Sequence, residues 1–127
     1  MPNTVLDASA LLALINSESG ADVVAQSITE AAINAVNLSE VVGKLSTAGI
    51  PEKDIREALR GLDLEVIAFD EEQAYSTGLL RSITDKFGLS LGDRVCLDTA
   101  RKLGVPALTA DKMWGDIPLE IDIRLIR

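Results

Sequence analysis

The sequence predicts an α/β fold: a single-domain, three-layer sandwich with a mainly parallel central sheet flanked by helices. Short apolar runs suited to buried strands alternate with longer segments whose apolar residues recur at helical spacing. Gly, Pro, Asn, Asp and Ser separate these segments, as helix caps and turns require. Strands joined through helices pair in parallel, so the alternation predicts helices on both faces of the sheet. The 127 residues, 47% of them hydrophobic, fit one domain spanning residues 1–127.

The first half of the chain begins with a short apolar strand and then a segment rich in Ala and Leu, which favours a helix. The segment between the first helix and the second strand is long enough to hold one additional helix. The predicted elements are strand Thr4–Leu6, helix Ala8–Ile15, strand Ala31–Val36, a helix capped by Asn37 or Ser39 that runs to Ala48, and a helix that begins near Pro51.

The second half repeats the alternation, and glycines mark the ends of its longer helices. The predicted elements are strand Leu64–Phe69, helix Glu71–Phe87 capped by Asp70, a helix from Ser90 to Gly104, strand Ala107–Thr109, a short helix Lys112–Trp114 and strand Ile121–Ile126.

The composition excludes several kinds of chemistry. The chain has no histidine and a single cysteine, Cys96, which excludes imidazole catalysis, a Cys-His nucleophile and a His-ligated zinc site. Its 20 acidic residues against 12 basic ones give a net charge of −8. This acidity weighs against binding nucleic acid, which needs local positive charge. Carboxylates are instead the preferred ligands of Mg²⁺ and Mn²⁺.

Four carboxylates fall near one edge of the predicted sheet. Asp7 and Asp111 follow strands, Glu40 lies just inside the helix after the second strand, and Asp93 lies in the first turn of a helix. Ligands of open α/β sheets bind at this edge. A cluster of like charges is costly unless a cation offsets it. A divalent cation there would lower the pKa of an attacking water, so we predict metal-dependent hydrolysis.

Four segments of the sequence carry a resemblance to a known family. They are VLDASALLALI near the start, SEVV at residues 39–42, LSLGDRVCLDTARKLGVPALTAD at residues 89–111, and the KMW that follows. Together they resemble the PIN-domain family, and more closely the ribonuclease toxins of bacterial VapBC toxin–antitoxin pairs. The similarity extends over almost the whole chain.

The resemblance implies a PIN-like α/β fold and an endoribonuclease that uses Mg²⁺ or Mn²⁺. The metal would be held by Asp7, Glu40, Asp93 and Asp111, while Ser9 and Thr109 would orient carboxylates or water. It also implies a homodimer and a cognate antitoxin that blocks the site. From the charge distribution, Arg94 and Lys112 are candidates to hold the phosphates of RNA, although solvated surface charge is an equally good interpretation.

Each proposed ligand has a structural alternative. Asp7 and Asp111 suit helix caps, Asp93 suits the positive end of a helix dipole, and Glu40 stands four residues before Lys44, a spacing that favours an ion pair.

Other candidates are left out of the predicted site. Asp98 lies about 140° around its helix from Asp93, and pairing at the surface with Arg94 or Arg101 is expected. We further expect Asp116 to be a surface acid, Cys96 a buried apolar residue and Trp114 a packing residue.

The sequence leaves two other functions open. A receiver-like signalling domain phosphorylated on aspartate fits the size, with Asp70 as the acceptor, although Asp7 lacks the paired acid that such domains use. That missing second Asp also argues against a haloacid-dehalogenase-like phosphatase. A non-catalytic PIN-like module that binds a partner is the other alternative. The start of the chain lacks the features of a signal peptide, and no apolar run suits a membrane span, so we expect a cytoplasmic protein.

Overall fold

The computed structural model describes residues 1–127 and contains one five-stranded sheet in which all neighbouring strands are parallel. The strand order is β3-β2-β1-β4-β5. The strands are β1 Thr4–Leu6, β2 Ala31–Asn34, β3 Glu65–Ile67, β4 Ala107–Thr109 and β5 Ile123–Leu125.

Six α-helices connect these strands, and short 3-10 helices follow three of the elements. The α-helices are α1 Ala8–Ile15, α2 Ala21–Ser27, α3 Ala35–Thr47, α4 Glu52–Arg60, α5 Glu71–Thr84 and α6 Leu91–Leu103. The 3-10 helices are Ile28–Glu30, Asp85–Phe87 and Lys112–Asp116. None of the helices combines the length and the apolar character needed to cross a membrane.

Two apolar clusters cover the two faces of the sheet, which confirms the predicted three layers. Successive residues of a strand point to opposite faces. Leu6 and Leu108 accordingly join the larger cluster with α1, α3 and α4, whereas Val5 and Ala107 join the smaller cluster with α6. Trp114 is fully buried in the smaller cluster, so it packs as the sequence predicts.

The second strand ends earlier than the sequence predicts. The expected caps of the next helix were Asn37 or Ser39, but the side chain of Asn34 accepts a hydrogen bond from the backbone N–H of Val36 and starts α3 at Ala35. A cap of this kind satisfies a backbone donor that has no partner inside the helix. Strand Ala31–Val36 therefore shortens to Ala31–Asn34, and Glu40 lies in the second turn of α3.

The strand order places a crevice at the middle of the sheet. From β1 the chain proceeds to β2 and β3 on one side, and then crosses to β4 and β5 on the other. Ligands of open α/β sheets bind where the order reverses, here beside β1 and β4. A flavodoxin-like receiver has the order 2-1-3-4-5, so the fold excludes the receiver alternative. Asp70, its candidate acceptor, caps α5 by accepting from the N–H of Gln73.

Candidate active site

Asp7 is the buried centre of the crevice. It follows β1 directly, and only 6% of its surface is exposed. One carboxylate oxygen, Oδ1, accepts from the Ser9 hydroxyl at 2.7 Å and from the backbone N–H of Ala10 at 2.8 Å. The other, Oδ2, accepts from the Thr109 hydroxyl at 2.6 Å and from Ser9 at 2.9 Å. Both hydroxyls that the resemblance singled out therefore contact Asp7.

The environment of Asp7 is unfavourable for its negative charge. Burial raises the pKa of this carboxyl above its ordinary value of 3.8, while the hydrogen bonds from Thr109, Ala10 and Ser9 oppose the rise. The nearby charge of Asp93 raises the pKa further. No cationic side chain of the protein pairs with Asp7. The carboxylate is thus held by hydrogen bonds alone, in a place where a positive charge would stabilise it.

Glu40 is positioned by Asn37, which the sequence suggests only as a helix cap. Asn37 is almost fully buried, and its Nδ2 donates to Glu40 Oε1 at 3.0 Å and to the carbonyl oxygen of Gly92 at 2.9 Å. A Cβ atom on Gly92 would lie 2.7 Å from Glu40 Cδ, so the carboxylate lies directly over this glycine. Asn37 thereby joins α3 to the first turn of α6. Glu40 forms no ion pair with Lys44.

The sequence gives only a weak indication of the roles of Asn37 and Gly92. Asn37 stands three residues before Glu40 on one helix, and Gly92 stands directly before Asp93. Residues three apart share a helix face. Nothing in the spacing, however, shows that the amide reaches across to a second helix.

Asp111 serves as a helix cap, as its structural alternative proposed, and Asp93 also takes part in a cap, where the alternative was an interaction with the helix dipole. Asp93 Oδ2 accepts from the backbone N–H of Ser90 at 2.9 Å, and Ser90 Oγ accepts from the N–H of Asp93 at 3.2 Å, forming a capping box. Asp111 Oδ1 accepts from the N–H of Met113 at 2.9 Å. Its own N–H donates to Thr109 Oγ1, the hydroxyl that contacts Asp7. Capping and a place at the crevice are therefore compatible.

Three of the four predicted carboxylates act on one buried thiol. Burial raises the pKa of Cys96 well above its ordinary value, and the charges of Asp7, Asp93 and Glu40 raise it further. Cys96 is fully buried, as the sequence predicts, and lies close enough to these three acids for their charges to affect it. No three carboxylate or thiol side chains are close enough together to hold a metal ion between them as they stand.

A buried polar network supports the helices that carry Glu40 and Asp93. Asn34 Nδ2 donates to Gln73 Oε1 at 2.9 Å and to Thr99 Oγ1 at 3.1 Å, and Gln73 Nε2 donates to Thr99 Oγ1 at 2.9 Å. The network links the start of α3 to α5 and α6. Such satisfied buried networks fix the relative positions of the elements that they join.

Asp98 differs from the surface acid that the sequence predicts. It is completely buried, and its carboxylate contacts Arg101 Nη2 at 2.7 Å, Lys102 Nζ at 3.5 Å and the hydroxyl of Ser76 at 2.7 Å. The predicted pairing with Arg101 is confirmed. The Asp98 carboxylate in this pair is buried rather than exposed, and Arg94 takes no part in it. Because α5 packs on this side of α6, the acid is covered and ties the two helices together.

The two predicted phosphate-binding cations lie in different surroundings. Arg94 is half-buried, and its Nη1 donates to the carbonyl oxygen of Thr77 on α5 at 3.1 Å. Its Nε is buried and has no partner. Lys112 is exposed beside Asp111, at the start of a 3-10 helix. Asp116 is exposed, as expected.

The fold and its crevice define a class of protein: a parallel α/β domain whose site consists of carboxylates and hydroxyls, without histidine. The profile of the PIN domain family matches residues 4–119, and the chain belongs to this family. The family resemblance found in the sequence is thereby confirmed. No curated protein matches the chain in sequence.

Solved structures with the same fold include several toxin–antitoxin complexes. DNA-bound VapBC from Salmonella typhimurium has a TM-score of 0.77 and 20% identity, with 100% of both chains covered. A toxin–antitoxin complex from Klebsiella pneumoniae has a TM-score of 0.76 and 18% identity, with 98% of each chain covered. VapBC2 from Rickettsia felis, bound to a promoter DNA fragment, has a TM-score of 0.75 and 18% identity, covering 96% of this chain and 97% of that one.

Proposed function

We propose that the protein is a metal-dependent endoribonuclease and the toxin of a type II toxin–antitoxin pair, acting in the cytoplasm. The observation that carries the enzymatic proposal is the buried Asp7 carboxylate, which has hydroxyl and amide partners but no cation. The PIN and VapC families are nucleases, which supports the same reaction class.

In their donor chemistry the four carboxylates suit a hard divalent cation, and holding one would require their side chains to move closer together than they stand here. Asp7, Glu40, Asp93 and Asp111 would hold Mg²⁺ or Mn²⁺, which when bound offsets their charge and polarises a phosphodiester toward attack by water. An ionised carboxylate has about four acceptor positions. Ser9, Ala10 and Thr109 supply one proton each, and Ser9 can direct its proton to only one of the two Asp7 oxygens at a time, so one acceptor position remains for a ligand.

The protein's own groups contribute orientation. Ser9 and Thr109 fix the plane of the Asp7 carboxylate, because they donate to both of its oxygens. Asn37 fixes Glu40 against α6. Partners of this kind commonly change metal affinity or activity by about 10–100-fold when they are removed.

The proposal is tested by incubating purified protein with labelled RNA and Mn²⁺. We expect cleavage products with 5′-phosphate and 3′-hydroxyl ends, abolished by EDTA and reduced at least about 100-fold by Asp7→Asn or Asp93→Asn. Asp111→Asn and Glu40→Gln test the other two ligands. The matched control is Asp116→Asn, since Asp116 is an exposed aspartate near the end of the same 3-10 helix that Asp111 caps.

Activity that survives EDTA and the paired Asp7→Asn and Asp93→Asn substitutions would refute the mechanism. A calorimetric titration with Mn²⁺ addresses the non-catalytic alternative. Binding by wild type that is lost in Asp93→Asn supports the enzyme, whereas the absence of Mn²⁺ binding by wild type favours a partner-binding module.

We propose an antitoxin as the physiological partner, because structures of similar fold are toxin–antitoxin complexes. An open apolar groove of about 520 Å³ between α3 and α4 offers a docking surface, with Leu38, Val42 and Leu59 among its lining residues. We expect the cognate antitoxin to suppress RNA cleavage, and Val42→Lys to weaken that suppression. Val23→Lys is the control, since Val23 and Val42 are each 36% exposed and Val23 lies on α2, outside the groove.

We also propose a homodimer, supported by an apolar stripe along α5. Tyr75, Leu79 and Ile83 recur every four residues and are 65%, 73% and 47% exposed. An unpartnered apolar stripe of this kind is typical of an interface. We expect wild type to sediment as a dimer and Leu79→Lys as a monomer. A wild-type monomer at micromolar concentration would contradict this part of the proposal.

A further inference from the structure

We propose that the cavity between α1 and α3 is a phosphate subsite, in which Lys44 and Arg127 hold the RNA backbone next to the bond that is cut. This inference rests on the proposed ribonuclease function and adds the path of the substrate. Neither residue was selected as a substrate contact from the sequence.

The cavity opens beside the carboxylate centre. It has a volume of about 290 Å³, and Ser9, Asn16, Lys44 and Arg127 are among its lining residues. The Ser9 hydroxyl at one end donates to Asp7. From Ser9 to Asn16 the cavity wall follows α1 for about 10 Å, at a rise of ~1.5 Å per helical residue. A polymer bound at Asp7 can therefore continue along this wall.

Lys44 carries the unpaired charge among the side chains that line the cavity. The charged side chains of the lining are Glu18, Lys44 and Arg127, and the first and last of these lie within ion-pair distance of each other. Arg127 Nη1 lies 3.8 Å from Glu18 Oε1 and donates to the carbonyl oxygen of Ser19 at 2.8 Å. Lys44 forms no ion pair or hydrogen bond within the chain, so its ammonium group remains available.

A phosphate chain that leaves the carboxylates on the α1 side meets its first lysine at Lys44. Residues 1–43 contain no Lys or Arg, so α1 and the start of α3 contribute no cation of their own before Lys44. On the other side of the crevice, Arg94 is turned toward Thr77 on α5, and Lys112, exposed beside Asp111, is the candidate cation there. A phosphodiester at the carboxylates has further phosphates along its chain, and these need a cation when they pass an acidic surface. Lys44 stands one helical turn beyond Glu40 and supplies that cation.

The test measures RNA binding in EDTA, where cleavage does not occur. A short fluorescein-labelled single-stranded RNA of mixed sequence is titrated with wild type, Lys44→Gln and Lys53→Gln by anisotropy at several KCl concentrations. Lys53 is the control because it is an exposed lysine on α4, outside the cavity. Each phosphate contact contributes about 0.7 to the slope of log K against log salt for single strands.

We expect Lys44→Gln to weaken binding about 5-fold at about 0.1 M KCl and to reduce that slope by about 0.7, with Lys53→Gln unchanged. Arg127→Gln is expected to act in the same direction, and Lys44→Arg to retain binding. Equal effects of Lys44→Gln and Lys53→Gln, or no RNA binding by wild type, would overturn the subsite.

The same titration separates this inference from the proposed function. A protein that binds RNA through Lys44 but never cleaves it keeps the subsite and refutes the nuclease. A protein that cleaves RNA equally well with and without Lys44 keeps the nuclease and refutes the subsite. If Lys44→Gln weakens binding of a glutamate-rich peptide and leaves RNA binding unchanged, the cavity serves an acidic protein segment instead, and the proposal fails.

Discussion

Asp7 and Asp98 are both buried aspartates, but the protein treats their charges in opposite ways. Asp98 is fully buried between α5 and α6 and has two cationic partners, Arg101 at 2.7 Å and Lys102 at 3.5 Å. Asp7 is 6% exposed, and its partners are two hydroxyls and a backbone amide. Only the Asp98 carboxylate is neutralised by cationic side chains of the protein.

The difference separates a structural acid from one that is available to a ligand. A buried charge that is paired within the protein has little to gain from an added cation, whereas an unpaired one gains a partner. Positions of the second kind reduce stability and are retained where activity requires them. Burial alone therefore does not identify a functional carboxylate, and the nature of its partners must be known.

The largest expected contrast between the two aspartates is in stability. We predict that Asp98→Asn lowers the free energy of unfolding by about 2 kcal/mol, because it breaks a buried ion pair whose cations are only partly exposed. Asp7→Asn is expected to leave this free energy unchanged or to raise it, because it removes a charge that burial disfavours. Urea denaturation in EDTA at neutral pH measures both.

Equal destabilisation by the two substitutions would break the comparison, since it would mean that Asp7 is as well compensated as Asp98. Asp116→Asn provides the baseline for an exposed aspartate, for which we expect a change within about 0.5 kcal/mol.

A smaller effect is expected from substitution of Gly92, which lies against the carboxylate of Glu40, another of the proposed metal ligands. Gly92→Ala places a methyl group against the Glu40 carboxylate, with Cδ and Oε2 both at 2.7 Å. Because Glu40 is exposed, its side chain can move away, so we predict little loss of stability and about a 10-fold loss of Mn²⁺ affinity. Calorimetric titration measures the affinity.

Gly78→Ala is the matched control, because Gly78 is also helical and has open space where a Cβ would lie. Unchanged Mn²⁺ affinity in Gly92→Ala would remove Glu40 from the proposed metal ligands while leaving Asp7 in place.

The smallest and most diagnostic effect is a dependence on pH. The pKa of Asp7 is raised on folding, so between the ordinary value of 3.8 and the higher folded value the native state retains a proton that the unfolded state has lost. Raising the pH through this window therefore lowers the contribution of Asp7 to stability. The excess stability of Asp7→Asn over wild type should be absent below pH 3.8 and grow above it.

Urea unfolding of both proteins in EDTA across the acidic pH range gives this difference directly. A difference that shrinks as the pH rises would mean that the folded protein stabilises the Asp7 charge, contrary to the contrast with Asp98.

The central parts of the fold were predictable because they depend on local patterns. Apolar runs located all five strands, and Asp70, Ser90 and Gly104 mark helix ends as predicted. The end of the second strand was missed, since Asn34 reads equally well as a strand residue or a cap. The choice is settled by Gln73 and Thr99, which contact its side chain from distant parts of the chain.

The candidate site shows the same limit. Motif similarity selected Asp7, Ser9 and Thr109, and these three residues contact one another. Helical geometry predicted that Asp98 and Asp93 lie on different faces of α6. It could not show that α5 covers the face with Asp98 and buries this acid. Asn37 was missed because its contact with Gly92 joins two helices that are far apart in sequence.

The caps at the crevice also explain which acids the chain uses there. Asp7, Asp93 and Asp111 each accept a backbone N–H within three residues of their own position, a reach that suits the short side chain of aspartate. Glu40 accepts from no backbone amide and is the one glutamate of the four. The choice of three aspartates and one glutamate thus follows from how each carboxylate is anchored to the main chain. Exchanging Asp for Glu at a capped position would keep the charge and lose the direction in which it points.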